Sequence, residues 1–416
     1  MAARRGGRPR FRACRAAPRE RDGVDRRPRA DDPRGRRMTE PVPRPAWAEI
    51  DLGAVRRNVA RIGDKLNENT QFMAVVKANA YGHGDVGVAR AALEAGATWL
   101  GVILVDEGVR LREAGIEAPI LLLHEAPVER IDEALANDLT PCVFTEKGLW
   151  LIGEAADRAH RPVGAHLKVD TGMNRLGVPI DHIEDFARAL AKEPRVEIEA
   201  IYSHFAFADA PDNPFISEQL SRFADACDRL KAVGIEPAFR HMANSAAALT
   251  RPDAHFDMAR VGIAMYGLSP GPKLDGILEL EPVMSLKARA AMVKRVPAGE
   301  AVSYGLRYKL RRPGTIVSIP LGYADGWPRA LGSGRGASKA AVLIGGKRYP
   351  AVGTVCMDAF MVDMGDDSCD VGDEVVLIGS QGKERISADD LASALGTINY
   401  EVVTRISSRI PRVYRG

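Results

Sequence analysis

Short apolar runs of strand length recur along the chain and alternate with stretches of helical spacing. They fall at 72–77, 99–104, 119–123, 140–144, 163–170, 196–204, 238–242 and 256–261. Between most of them apolar residues return three and four positions apart, as over 54–66 and 216–233, which is the mark of a helix with one buried face. Eight strand–helix alternations within about 210 residues predict an α/β fold, a (β/α)8 TIM-like barrel. A doubly wound parallel sheet is the alternative with the same rhythm. Near residue 280 the texture changes. Segments 284–295, 315–320, 340–344, 349–364 and 374–378 read as strands joined by Gly and Pro turns. One short helix, 387–395, begins at a Ser N-cap followed by acids. The pattern therefore predicts a barrel over 43–280 and a β-rich C-terminal domain over 281–416.

Composition narrows this picture. A chain of 416 residues suits two or three domains, and 46% hydrophobic with 27% charged residues is ordinary for a soluble globular protein. No stretch approaches the ~18 consecutive apolar residues of a membrane-spanning helix, so no membrane partner is expected. The net charge of +3 hides an asymmetry. Residues 1–37 hold 14 Arg against five acids, a net +9, which leaves −6 for the remainder. A mildly acidic body predicts no nucleic-acid groove. The arm is crowded with Arg, Pro, Gly and Asp and is too poor in apolar residues to build a core. It reads as a disordered basic extension, with binding to nucleic acid or an anionic surface as the other reading. It lacks the apolar centre of a secretory signal, and Met38, where compact sequence begins, is an alternative start. Cys14, Cys142, Cys227, Cys356 and Cys369 are scattered and odd in number. That spacing speaks against disulfides or a zinc site and fits a reducing cytoplasm, with no metal expected.

Three segments carry chemistry. Lys77 lies at the C-terminal end of the first barrel strand, which is the catalytic face of such a barrel. Desolvation there lowers a lysine's pKa and suits it to Schiff-base chemistry; a lysine reaching out from a strand end is the plain alternative. The turns Ala243–Ala246 and Arg260–Gly267 follow the seventh and eighth strands, where barrels tend to hold phosphate. Small residues at those junctions let backbone N–H groups approach an anion. A lysine for an aldehyde and two turns for a phosphate describe one aldehyde-phosphate site.

The segments VVKANAYGHG (75–84), KVDTGMNRLG (168–177), SHFAFAD (203–209), NSAA (244–247), ARVGIAMYG (259–267), VSYG (302–305), LGYADGW (321–327), GTVCMD (353–358) and INYEV (398–402) follow in order. With them the chain resembles the alanine racemase family over about 370 residues, in both domains. The resemblance implies pyridoxal 5'-phosphate as cofactor and a two-base interconversion of L- and D-alanine, supplying D-alanine for bacterial peptidoglycan. It implies that Lys77 holds the cofactor and is the base on the D-alanine face, and that Tyr304 is the base on the L-alanine face. Tyr81, Ser245, Tyr400 and the N–H groups of Gly262 and Ile263 would cradle the phosphate. Arg260 would face the pyridine nitrogen, with His204 holding it. Arg175 and the Met357 N–H would bind the substrate carboxylate. Lys168 would support Arg175, in many members as a carbamate. Tyr323 would narrow the entrance with Tyr400, and Cys356 and Asp358 would line the surroundings of Met357. The family also implies a homodimer whose active sites are shared between chains.

Two other classes compete. A broad-spectrum racemase or a basic-amino-acid decarboxylase would share the fold, but a decarboxylase wants an acid, not Arg260, at the ring nitrogen. A non-catalytic pyridoxal-phosphate carrier would lack the β-rich domain that VSYG and GTVCMD occupy.

Overall fold

The computed structural model describes residues 45–332 and 340–416; the basic arm, 1–37, lies outside them. Eight parallel strands close into a barrel. Around it run Gln71–Val75, Trp99–Val102, Ile120–Leu122, a fourth strand in two pieces (Leu139–Thr140 and Cys142–Val143), Val163–Asp170, Val196–Tyr202, Phe239–His241 and Met258–Val261. Pro141 splits the fourth strand because it has no N–H to give the ladder, yet its carbonyl still accepts from His166 N at 2.9–3.0 Å spacing typical of the sheet, here 3.0 Å. The last strand pairs with the first, Arg260 opposite Met73, so a doubly wound sheet is excluded. All eight expected strands are present.

The barrel interior is a packed layer of Met73, Trp99, Leu121, Cys142, Tyr202 and Met258, with His166 and His241 among them. Helices cover the outside by apolar stripes. In Leu52–Gly63, Val55, Val59 and Ile62 share the buried face, and Asp51 caps the N-terminus by accepting from Ala54 N at 2.8 Å. Burial of each such side chain contributes about 1.5–3 kcal/mol.

The second sheet is built from Met292–Val296, Gly314–Ile319, Phe360–Gly365, Lys347–Val352, Ala341–Ile344, Glu374–Gln381, Met284–Arg289, Ala46–Asp51 and Arg412–Arg415, in that spatial order. The strand that opens the described chain, Ala46–Asp51, thus belongs here, antiparallel to Met284–Arg289 and parallel to Arg412–Arg415. The expected strand 284–295 is two strands far apart in the sheet. At its break Ala290 N turns to Asp373 O and Ala291 N to Ser318 O, so the backbone changes partner within one step. The expected strand 349–364 is also two, separated by a loop that begins at Gly353 in the left-handed region (φ +71°). The helix Ala388–Leu395 starts at Ser387, whose Oγ accepts from Asp390 N.

Candidate active site at the mouth of the barrel

The C-terminal ends of the barrel strands surround a cavity of about 730 Å³. It is lined by Lys77, Tyr81, Lys168, Arg175, His204, Ser245, Arg260, Gly262 and Ile263, and Tyr400 closes it from the helix Asn399–Thr404. Ten of the residues singled out in the sequence therefore meet in one place.

Lys77 and Tyr81 arrive on an unusual piece of backbone. Ala78, Asn79, Ala80 and Tyr81 all have φ between +51° and +54°, one turn of left-handed helix. Such a turn costs roughly 1–2 kcal/mol per residue, so its surroundings must hold it. At its start Glu107 accepts from Ala78 N at 2.6 Å. At its end His83 Nδ1 donates to the carbonyls of Ala80 and Tyr81, both at 3.0 Å. Gly82 leaves the turn at φ +85°, where a Cβ would stand 2.3 Å from Val403 O.

The two small-residue turns meet at the cavity wall. Ser245 Oγ accepts from Gly262 N at 2.9 Å, joining the two small-residue turns. A Cβ at Gly262 would lie 2.6 Å from Tyr81 Oη, so only glycine keeps this cradle open. Burial pushes the Tyr81 phenol up to about 12, which keeps it a donor.

Arg260 is buried, and its two terminal nitrogens are consumed by the protein. Nη1 donates to His241 Nδ1 (2.9 Å) and His241 O (3.0 Å). Nη2 donates to Ser203 O (2.6 Å), Met242 O (3.2 Å) and His204 Nδ1 (3.2 Å). Nε is the donor left for the cavity. An arginine donates and never accepts, so the network assigns the proton of His241 to Nε2, which donates to His166 Nδ1 at 3.1 Å. Both histidines are held neutral by burial first and by Arg260 next. His204 is likewise driven well below its ordinary range by burial, then by Arg260. His241 is thus the tighter partner of Arg260 and was not anticipated; its signal was its place three residues before the NSAA turn. Tyr202, also unanticipated, lies under two cations, with the Arg260 guanidinium 5.2 Å and Lys168 Nζ 5.3 Å from its ring centroid.

Four cations face one cavity. Burial lowers Lys77, and Arg175 and Arg260 add to this, while Glu107 opposes it. Burial brings Lys168 down to about 8. A lining of this charge suits an anion.

The other predicted residues do not line this cavity. Tyr304, Tyr323, Cys356, Met357 and Asp358 gather instead in the β-rich part. Ser303 Oγ donates to Thr354 O at 2.6 Å, Thr354 Oγ1 to Tyr304 O at 2.8 Å, and Tyr323 N to Cys356 O at 3.1 Å. Asp358 is paired with Arg409. Ser303 sits at φ +66°, a strained conformation immediately before Tyr304 that these bonds hold. Tyr304 is 74% exposed and Met357 54%.

Family models for the alanine racemase N-terminal domain and C-terminal domain match residues 50–270 and 283–414. An alanine racemase of Symbiobacterium thermophilum is 46% identical over 90% of this chain and 98% of its own length. A solved alanine racemase of Bacillus anthracis with bound L-Ala-P superposes with a TM-score of 0.86 at 40% identity, covering 91% of this chain and 96% of that one. A second, from Bartonella henselae with covalently bound pyridoxal phosphate, gives 0.79 at 29% identity over 90% and 100%. Among the described residues no helix is long and apolar enough to cross a membrane.

Proposed function

The chain belongs to the alanine racemase family, and from that premise we propose that it interconverts L-alanine and D-alanine with pyridoxal 5'-phosphate held at the barrel mouth. The observation that carries this reading is the meeting of a desolvated Lys77 with the Ser245–Gly262–Tyr81 cradle in one cationic cavity. The residues fit the cofactor: Lys77 for its aldehyde, the cradle for its phosphate, and Arg260 Nε–H for its ring nitrogen. When bound, the group withdraws electrons and so acidifies the Cα–H of the amino acid attached to it.

The chain's own residues do the rest. Lys77 Nζ, whose protonated form is disfavoured by burial, accepts or returns the Cα proton on one face. Tyr81 and Ser245 anchor the phosphate end and thereby fix the distance from Lys77 to the reacting carbon. Arg260 stays a cation even though burial brings it down to about 10, and it donates a hydrogen bond without giving up a proton. Arg260 would in this way temper the electron withdrawal that the cofactor supplies when bound, favouring return of the proton to Cα over other outcomes. Arg175 pairs with the substrate carboxylate. At neutral pH Lys168, held near 8, is neutral a fraction of the time. The neutral amine is the form that adds carbon dioxide, giving a carbamate and a proton, and the carbamate would counter the surrounding cations.

Tyr304 and the Met357 N–H would act in the cavity of a second copy. The exposure of Tyr304, Leu306, Met357 and Tyr323 supports a homodimer with shared sites, since water-exposed apolar groups of this size gain by being covered. The test is a chiral assay of purified protein against a panel of L-amino acids, with added cofactor. Formation of D-alanine far ahead of other D-amino acids is expected. Equal turnover across the panel would replace this reading with a broad-spectrum racemase, and no turnover at all with a carrier.

A further inference from the structure

Glu107 belongs to none of the motifs that resemble the family and lies outside the catalytic groups above, yet it is buried beside them. It stands in the first turn of the helix Val105–Glu113, which follows the strand Trp99–Val102. Its Oε2 accepts from Ile103 N (2.9 Å) and Leu104 N (3.1 Å), satisfying donors at its own helix start. Its Oε1 reaches the neighbouring strand's exit and accepts from Ala78 N at 2.6 Å. Ala78 follows Lys77 directly and opens the left-handed turn. A short bond from an N–H to a buried carboxylate is of the strong, charge-assisted kind.

We propose that Glu107 is a positioning residue for Lys77 and Tyr81: its single carboxylate ties the left-handed turn that carries both to the N-terminus of the adjacent helix. Four residues in a disfavoured conformation stay there only if something holds the first of them, and Glu107 is the side chain that does. The carboxylate also sets the charge around the amine. Of the groups acting on Lys77, Arg175, Arg260 and burial disfavour the ammonium, and Glu107 is the one acid opposing them.

The inference rests on the reading of Lys77 as the reactive amine, and the test separates the two. The Lys77 amine of cofactor-free protein is labelled with an acylating reagent across a pH series, and the extent is read by mass spectrometry. Cofactor Kd is measured in parallel. In Glu107→Gln the labelling midpoint of Lys77 should fall by on the order of one pH unit, because an opposing charge is gone. Cofactor should bind roughly tenfold or more weakly, as expected from loss of one charge-assisted hydrogen bond. Asp106→Asn, on the same helix turn but exposed and paired with Arg130, should leave both unchanged. A folded Glu107→Gln with wild-type midpoint and Kd overturns the proposal. If that variant does not fold, Glu107→Asp decides: it keeps the charge but withdraws it from Ala78 N–H, so Kd should weaken while the midpoint holds. Wild-type Kd in Glu107→Asp then overturns it. A Lys77 that labels like any surface lysine in the unaltered protein would instead refute the reading of Lys77, whatever Glu107 does.

Discussion

Arg260→Lys keeps the cation and removes the fork. In the native protein five acceptors receive from Nη1 and Nη2: three backbone carbonyls (Ser203, His241, Met242) and the Nδ1 atoms of His204 and His241. A lysine offers three donors from one nitrogen, so at least two of the five go without. Ser203, His241 and Met242 are buried, so water cannot easily replace the lost donor. Each unsatisfied buried acceptor costs about 1–3 kcal/mol, which makes the expected destabilisation about 2–6 kcal/mol. Loss of the fork also frees the tautomer of His241 and removes the Nε–H that faces the cavity. The measurements are urea unfolding of the cofactor-free protein and chiral turnover of alanine. Stability should fall by the stated amount, and turnover should fall although the charge is unchanged. A lysine variant as stable as the wild type would refute the argument, because it would mean that the five contacts carry no net free energy.

Borohydride reduction of the cofactor-loaded protein should fix cofactor to the peptide containing Lys77, and Lys77→Ala should neither trap cofactor nor racemise alanine; attachment at another lysine, read by mass spectrometry, rejects the assignment. Lys77→Ala and Tyr304→Phe, each nearly inactive alone, should regain roughly a quarter of wild-type turnover when refolded together, since half the dimers are mixed and each has one intact site of two. No recovery, with mixed dimers verified by native mass spectrometry, returns Tyr304 to its own chain. Lys168 titrates near 8 when folded and near ~10.4 when unfolded, so between these values the unfolded chain binds more protons and stability rises with pH. In protein kept free of carbon dioxide, so that the amine is unmodified, Lys168→Met should therefore be the more stable protein at pH 7 and should flatten melting temperature against pH across that window; parallel curves for the two proteins would contradict the burial argument. Gly82→Ala, forced to φ +85° and against Val403 O, should lose about 2–5 kcal/mol in denaturant unfolding and loosen Tyr400, three residues before Val403 on the same helix. An unchanged unfolding curve would show that this approach is not tight.

What was readable follows from what each feature needs. Most of the barrel strands were legible because they are buried on both faces and so are written as apolar runs, as in Trp99–Val102, Ile120–Leu122 and Met258–Val261. The cavity residues were legible because their motifs are contiguous. The place of Ala46–Asp51 in the second sheet was not, since its partners, Met284–Arg289 and Arg412–Arg415, lie at the far end of the chain and pairing leaves no local mark. The break at Ala290–Ala291 hid in an apolar run. The left-handed turn had no signal in Ala78 and Ala80, residues that do not favour it; only Asn79 within it and Gly82 and Gly84 after it tolerate positive φ. Glu107 stands three residues after the N-cap, as in a capping box, but the N-cap is Leu104 rather than Ser or Thr, so the pattern was masked.

The second base is the point at which one chain runs short. Racemisation needs acceptors on both faces of the reacting carbon, and Lys77 is the one proposed here for the first face. The phenols that line the cavity, Tyr81, Tyr202 and Tyr400, are all driven upward by burial, so they can donate hydrogen bonds but are poor acceptors of a proton. His204 is driven the other way and already accepts from Arg260, which leaves little basicity for a substrate. Glu401 is engaged with Arg405 at 3.1 Å. None of these is free, unburied and aimed at the opening. Tyr304 is free and exposed, but in this chain it stands on the β-rich part, outside the cavity, on a strained backbone braced by the bond from Thr354 Oγ1 to its carbonyl. A second copy that lays this face over the barrel mouth would cover the apolar patch and supply the missing base in one step. Such a coupling would make assembly and activity one property, which the mixed-variant refolding reads at once.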